Sequence, residues 1–182
     1  NIRFLVPMKF YRNQKKTITW KAHGIAKGDN VIVSVSLESD LLFMNRPPKH
    51  VVHFTGVVHL TSGNVRRPEA SSPVKWLRKK SVDSKTIYNL FFHGPSFQVL
   101  DSVQRNGDTI IGRASKNLKP IVLNGVEQSM PPLLIELCFQ TVGVHQAGNT
   151  GVLALPSSIH TLTIYDYCPK NLNDFFAEVR YS

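Results

Sequence analysis

One segment dictates what the rest of this sequence must build around: PPLLIELCFQTVGVHQ, from about 131 to 146. At 3.6 residues per turn, Leu133, Leu134, Ile135, Leu137, Cys138, Phe139, Val142 and Val144 cover nearly every face of a helix. Proline is tolerated in the first turn, and Ser129 stands just upstream as a cap. A helix that is apolar all round is predicted to be buried. The remaining elements read as strands: TITWKA (17–22), NVIVSVSL (30–37), HVVHFTGVVHL (50–60), IYNLFF (87–92), FQVLDSVQ (97–104), TIIGRA (109–114), LPSSIHTLTIY (155–165) and FFAEVRY (175–181). KGDN at 27–30 and RNGD at 105–108 supply turn chemistry. The stretch from Thr61 to Lys85 is rich in Ser, Pro, Arg and Lys and reads as a surface linker. The pattern predicts an α+β protein in which antiparallel sheet wraps a buried helix, preceded by strands that lack a helix of their own. With 182 residues, 42% of them hydrophobic, the chain can bury one sizeable core, or two small layers sharing one sheet.

The formal net charge of +10 favours an acidic partner: nucleic acid, a membrane surface or an acidic protein. The densest basic run, KWLRKK at 75–80, sits in the Pro/Ser-rich stretch and reads as solvated linker. Neither a zinc-finger nor an RRM motif accompanies it, nor do exposed aromatic platform motifs, so nucleic acid is the poorer candidate. No run approaches the roughly 18 to 20 apolar residues that span a bilayer, and the first residues lack a signal peptide's order. Cys138 and Cys168 allow at most one bridge, and Cys138 reads as a small buried hydrophobe. The expectation is a soluble, cytoplasmic chain.

Two polar residues interrupt the apolar helix. Glu136 has Leu, Ile and Leu around it, and Gln140 follows at i+4 on the same face. Either this side of the helix reaches solvent or a loop, or the carboxyl is buried. A buried carboxyl takes a proton or finds hydrogen-bond partners, and a carboxylic acid kept neutral can act as a general acid.

Three stretches together resemble the dehydratase domains of polyketide and polyunsaturated fatty acid synthases. FFHGPSFQ (91–98) is similar to that family's Gly-Tyr-x-Tyr-Gly-Pro-x-Phe motif. Gly94, Pro95 and Phe97 match it, while Leu90, Phe91 and His93 replace the Gly and the two Tyr. ELCFQ (136–140) resembles the Asp-x-x-x-Gln/His motif with Glu136 in the aspartate's place, and LPSSI (155–159) resembles a Leu-Pro pair that opens the strand after the helix. IRFLVPMKF and HFTGVV (53–58) look like the second half of an N-terminal hotdog.

The resemblance implies a double-hotdog fold with an incomplete N-terminal half: 1–62 as strands only, 63–85 as linker, and 86–182 as the C-terminal hotdog with its central helix. It implies loss of water from a 3-hydroxyacyl chain on an acyl carrier protein, without metal or organic cofactor. Glu136 would be the acid and Gln140 would hold it, with Gly94, Pro95 and Phe97 at the thioester. The acidic carrier protein and neighbouring synthase domains would be the partners, with a homodimer left open. The family's base lies in a His-x-x-x-Gly-x-x-x-x-Pro motif that this chain is expected to begin after. His59, Gly63 and Pro68 satisfy the spacing, but EASSPVKWLRKK follows where the family has a buried helix. His93, in place of a motif tyrosine, would donate a hydrogen bond near the thioester, with a base role as its second reading. His53 reads as a satisfied sheet residue. The chain is further expected to stop a strand short, as a fragment or an eroded domain. A non-catalytic dehydratase-like scaffold or acyl-binding domain is therefore the alternative function.

Overall fold

The structure is a computed structural model; it describes residues 1–10, 15–63, 76, 81–116, 118, 132–165 and 175–180, without the side chain of Phe43. Ser129, Cys168, Pro68 and all of the basic run except Trp76 lie outside the described residues. The chain divides into two compact units. Unit 1 is Asn1–Arg67 with Pro156–Thr163, and unit 2 is Pro68–Leu155 with Ile164–Ser182.

Unit 1 is a five-stranded antiparallel sheet. Its strands are β1 (Ile2–Phe4), β2 (Thr19–Lys27), β3 (Asn30–Phe43), β4 (Arg46–Thr61) and β8 (Ser158–Ile159), in the order β2-β3-β4-β1-β8. The KGDN turn forms as predicted: Lys27 pairs with Asn30, and Gly28 adopts φ +57°, the left-handed conformation that such a two-residue turn demands. β3 and β4 run well past the stretches read as strands, staying paired from Asn30–Thr61 to Phe43–Arg46. The sheet buries Leu37, Val51 and His53. His53 is the satisfied sheet residue expected: its Nδ1 lies 2.9 Å from the Val6 carbonyl and its Nε2 2.7 Å from Ser39 Oγ. Beside it, Glu38 is held by Lys21, by the Ser36 hydroxyl at 2.7 Å and by His50 at 3.1 Å, and the Lys21 bond leads in keeping its carboxyl below the usual range.

Unit 2 carries the sheet β5-β6-β7-β9, made of Ser81–Asp83, Leu100–Asn106, Thr109–Ala114 and Phe176–Arg180. Helix α2 (Pro132–Thr150) packs across β6, β7 and β9. Leu133, Leu137, Gln140 and Thr141 form its buried stripe, facing Val99, Leu100, Val103, Ile110, Ala114 and Ala177. Close approach is set by Gly112 on β7, where a Cβ would overlap the Thr141 hydroxyl. The hairpin at Asn106–Thr109 turns through Gly107 at φ +61°, as its Asn-Gly predicts.

Several expectations need correction. IYNLFF is not a strand: Ser84–Leu90 is helix α1. Asp83 caps it by accepting from the Thr86 N–H at 2.8 Å, and Ile87 then points into the core. The stretch read as linker to Lys85 thus ends in β5 and the first turn of α1. α2 runs four residues beyond Gln146 and stops at Gly151, whose φ of +69° and bond to the Ala147 carbonyl form a left-handed cap. It is buried on one stripe only. Cys138 is exposed, because the sheet covers a single side of the helix. Of the strand expected at 155–165, only Ser158–Ile159 pairs, with Arg3 and Ile2 of β1.

Candidate active site

The polar residues of α2 lie against the turn that follows α1. α1 ends at Phe91, whose N–H bonds the Ile87 carbonyl at 3.0 Å. Phe91 and Gly94 have extended backbone, and Pro95–Phe97 form one turn of 3-10 helix, with the Phe97 N–H on the Gly94 carbonyl at 2.9 Å. The Gly-Pro pair therefore opens a helical turn rather than ending a strand. Proline suits this position because it needs no N–H and its φ is already set. Gly94 has φ −69°, which any residue adopts, and a Cβ built on it meets nothing within 4 Å among the described residues.

A hydrogen-bond relay fixes the carboxyl of Glu136. The Leu100 N–H donates to the Tyr88 hydroxyl at 2.7 Å, and that hydroxyl donates to Gln140 Oε1 at 2.8 Å. The Gln140 amide nitrogen then donates to the Phe97 carbonyl at 2.7 Å and to Glu136 Oε1 at 2.8 Å. Gln140 is only 2% exposed, so its orientation is locked from both ends. Burial is the main cause that pushes the Tyr88 phenol up to about 12, with the nearby Glu136 adding to it against the bond from Leu100. Tyr88 stays a donor across the working pH range.

His93 completes the group. Its Nε2 lies 3.1 Å from Glu136 Oε1, its ring stacks on Phe92 at 4.6 Å, and Phe91 stands 5.5 Å away. The Gln98 amide holds the His93 carbonyl at 3.1 Å. Gly143, one turn beyond Gln140, leaves room for the Phe91 ring, which would lie 3.2 Å from a Cβ there. Both Glu136 and His93 are mostly covered, at 23% and 18% side-chain exposure. The geometry is that of a carboxyl held by an amide and an imidazole beside an open turn, suited to moving protons on and off a bound molecule.

The structure thus brings together Glu136, Gln140 and His93, with Gly94, Pro95 and Phe97 on the adjoining turn. Gly94, Pro95 and Phe97 are exposed, and it is the Phe97 carbonyl, not its ring, that joins the relay. His59 is exposed on β4 of unit 1, opposite Ile32. Tyr88 was missed, because reading IYNLFF as a strand hid its place on α1. The signal was present in Asp83, which starts a helix three residues before Thr86 and sets Ile87 and Tyr88 on its inner side. Among the described residues no cluster of three or more His, Cys, Asp or Glu could hold a metal.

A helix laid across an antiparallel sheet, with this group at its edge, defines an α+β protein of hotdog fold. The dehydratase domain of RzxB from Pseudomonas fluorescens has a similar structure, with a TM-score of 0.53 at 14% identity over 81% of this chain and 50% of that one. The dehydratase domain from the CurF module of the curacin polyketide synthase gives 0.51 at 13% identity, over 100% of this chain and 64% of that one. The chain spans only part of the length of these domains. No curated protein matches it. The model of the family described as polyketide synthase dehydratase N-terminal domain matches residues 77–181, more than half of the chain, and the chain belongs to that family.

Proposed function

We propose that the chain supplies the acid side of a polyketide synthase dehydratase, which removes water from a 3-hydroxyacyl chain carried on an acyl carrier protein. The observation that carries this reading is the Glu136 carboxyl, held at 2.8 Å by Gln140 within a relay that starts at a backbone amide. Preorganised hydrogen bonding of this kind places a proton donor without reorganisation during the reaction. Glu136 donates to the leaving β-hydroxyl, Gln140 positions the carboxyl, and the open side of Gly94 admits the thioester end of the substrate. The half-covered flank of α2 lines the acyl chain's path. We take 86–182 as one hotdog of this site, the half with the helix, and 1–62 as strands of another half.

An acidic carrier protein suits the net charge of +10. Unit 1 holds a cavity of about 700 Å³ lined by Lys9, Lys15, Lys16 and Lys21. Its carboxylates are already engaged, Glu38 by Lys21 and His50, and Asp40 by His50.

The test is incubation of the chain with 3-hydroxyacyl thioesters on a carrier protein, followed by mass spectrometry for the loss of water. Turnover by the wild-type chain that drops at least about 100-fold in Glu136→Gln supports the reading. Turnover indifferent to that substitution sinks the acid assignment. Binding of the acyl carrier protein without turnover would instead favour the scaffold function.

A further inference from the structure

We propose that His93 is the general base of this same site, working through Nδ1 while Glu136 holds its other nitrogen; the inference rests on the dehydratase reading above. It follows from the direction of the hydrogen bonds. The Leu100 N–H can only donate, so the Tyr88 oxygen accepts it and the phenolic proton goes to Gln140 Oε1. That assigns the amide: its nitrogen faces two acceptors, the Phe97 carbonyl and Glu136 Oε1. Glu136 Oε1 is therefore an acceptor, and His93 Nε2, 3.1 Å from it, carries a hydrogen. In the neutral ring, Nδ1 is then a lone pair. It is buried, and it has no partner among the described residues. A buried acceptor left bare is costly and calls for a reason, and readiness to take a proton is one.

A carboxylate that orients an imidazole through one nitrogen and leaves the other as the base is a recurrent arrangement in acid–base catalysis. Here the same carboxyl has a second use. Oε1 receives both hydrogen bonds, while Oε2 receives none from a described group and is the oxygen left for the proton that the acid role requires. The acid and the base then belong to one pair within unit 2, and the His-x-x-x-Gly-x-x-x-x-Pro motif is not needed to supply the base. The substrate's Cα–H bond breaks, its proton passing to Nδ1 and its electron pair delocalising onto the thioester carbonyl as an enolate, which then returns the pair to form the Cα–Cβ double bond. As the Cβ–O bond breaks, Oε2 gives its proton to the hydroxyl and water leaves. An imidazolium facing a carboxylate remains, and the proton returns from Nδ1 to Oε2 through solvent. The Nδ1 edge is covered. Phe92, stacked on the His93 ring and itself 74% exposed, is the neighbour with room to give way.

The rival role for His93 is that of the tyrosine it replaces, a hydrogen-bond donor to the thioester. The two roles part under His93→Tyr, which restores the family residue. The 182-residue chain is given 3-hydroxyacyl N-acetylcysteamine thioesters in deuterium oxide. Water loss is read by enoyl-thioester absorbance and deuterium at C2 by mass spectrometry. The wild-type chain should do both. Glu136→Gln, whose amide oxygen still accepts from Nε2, should lose water release yet keep C2 exchange. His93→Gln and His93→Tyr should lose both by about 10²- to 10⁴-fold, with circular dichroism and melting unchanged. Water loss that survives in His93→Tyr, or C2 exchange that survives in His93→Gln, overturns the base and leaves the dehydratase reading standing. Absence of both reactions in the wild-type chain overturns both.

Discussion

The Tyr88 hydroxyl donates to the Gln140 amide at 2.8 Å, joining two helices across 52 residues of chain. Through that one bond, the orientation of the Glu136 carboxyl is referred back to the backbone of β6. Tyr88→Phe should act twice. The Leu100 N–H loses its acceptor, which costs about 1–3 kcal/mol for a buried donor. Gln140, freed at Oε1, can turn its amide over and release Glu136. The expected result is a lower denaturant midpoint together with a kcat loss that exceeds any rise in KM.

The same phenol gives a pH signature. Its value in the fold is about 12, against 10 for the free group. A group whose pKa is raised by folding contributes stability that is complete below the unfolded value and lost as pH rises through the folded one. The chain should therefore lose stability between about pH 10 and 12, by an amount that Tyr88→Phe reduces. An ultraviolet titration should find one of the five tyrosines ionising late.

Asp83 gives the opposite sign. Its bond from the Thr86 N–H keeps its carboxyl below the ordinary range, with Lys85 adding a little. That contribution is present above the unfolded pKa and fades as pH falls through the lower folded value. Asp83→Asn, which keeps a capping oxygen without a charge, should unfold with a flatter acid dependence than wild type, as followed by melting temperature from neutral pH down to about 3.

Gly112 allows α2 to lie close on β7. Gly112→Ala forces a methyl into the Thr141 hydroxyl and against Leu100, and overpacking of this kind costs about 1–3 kcal/mol. Thr141→Ser removes only a methyl and should not rescue it. Thr141→Ala clears the hydroxyl and should restore part of the loss, which a double-mutant cycle in urea would measure.

If the acyl carrier protein docks by charge, its binding should weaken steeply with salt. Lys15→Glu with Lys16→Glu should then slow association more than it speeds dissociation. Binding indifferent to salt in surface plasmon resonance would remove the electrostatic account.

Much of this arrangement was legible because it is local. An i,i+4 pair such as Glu136 and Gln140 shows in any helical reading, and Gly28 and Gly107 announce their turns. The failures have a common physical cause. A short apolar run such as IYNLFF fits a strand or a helix equally, and only the capping Asp83 outside it decides. Once that run is misread, Tyr88 has no defined direction, and its partner 52 residues away cannot be seen from either end. His93 was singled out as a departure from a motif. Its contact with Glu136 was not foreseen, because it depends on where α2 crosses the sheet. The burial of α2 was overstated for a related reason: apolar composition says that a face can be covered, and the sheet covers only the stripe it reaches.

Gly94 carries a consequence of a different kind. Its φ is ordinary and a Cβ there meets nothing within 4 Å among the described residues, so these elements make no demand on that residue's identity. On the proposed reading a methyl there would leave the melting temperature where it is and narrow only the mouth of the site, so the range of molecules admitted can change by a single step while the fold stays as it is.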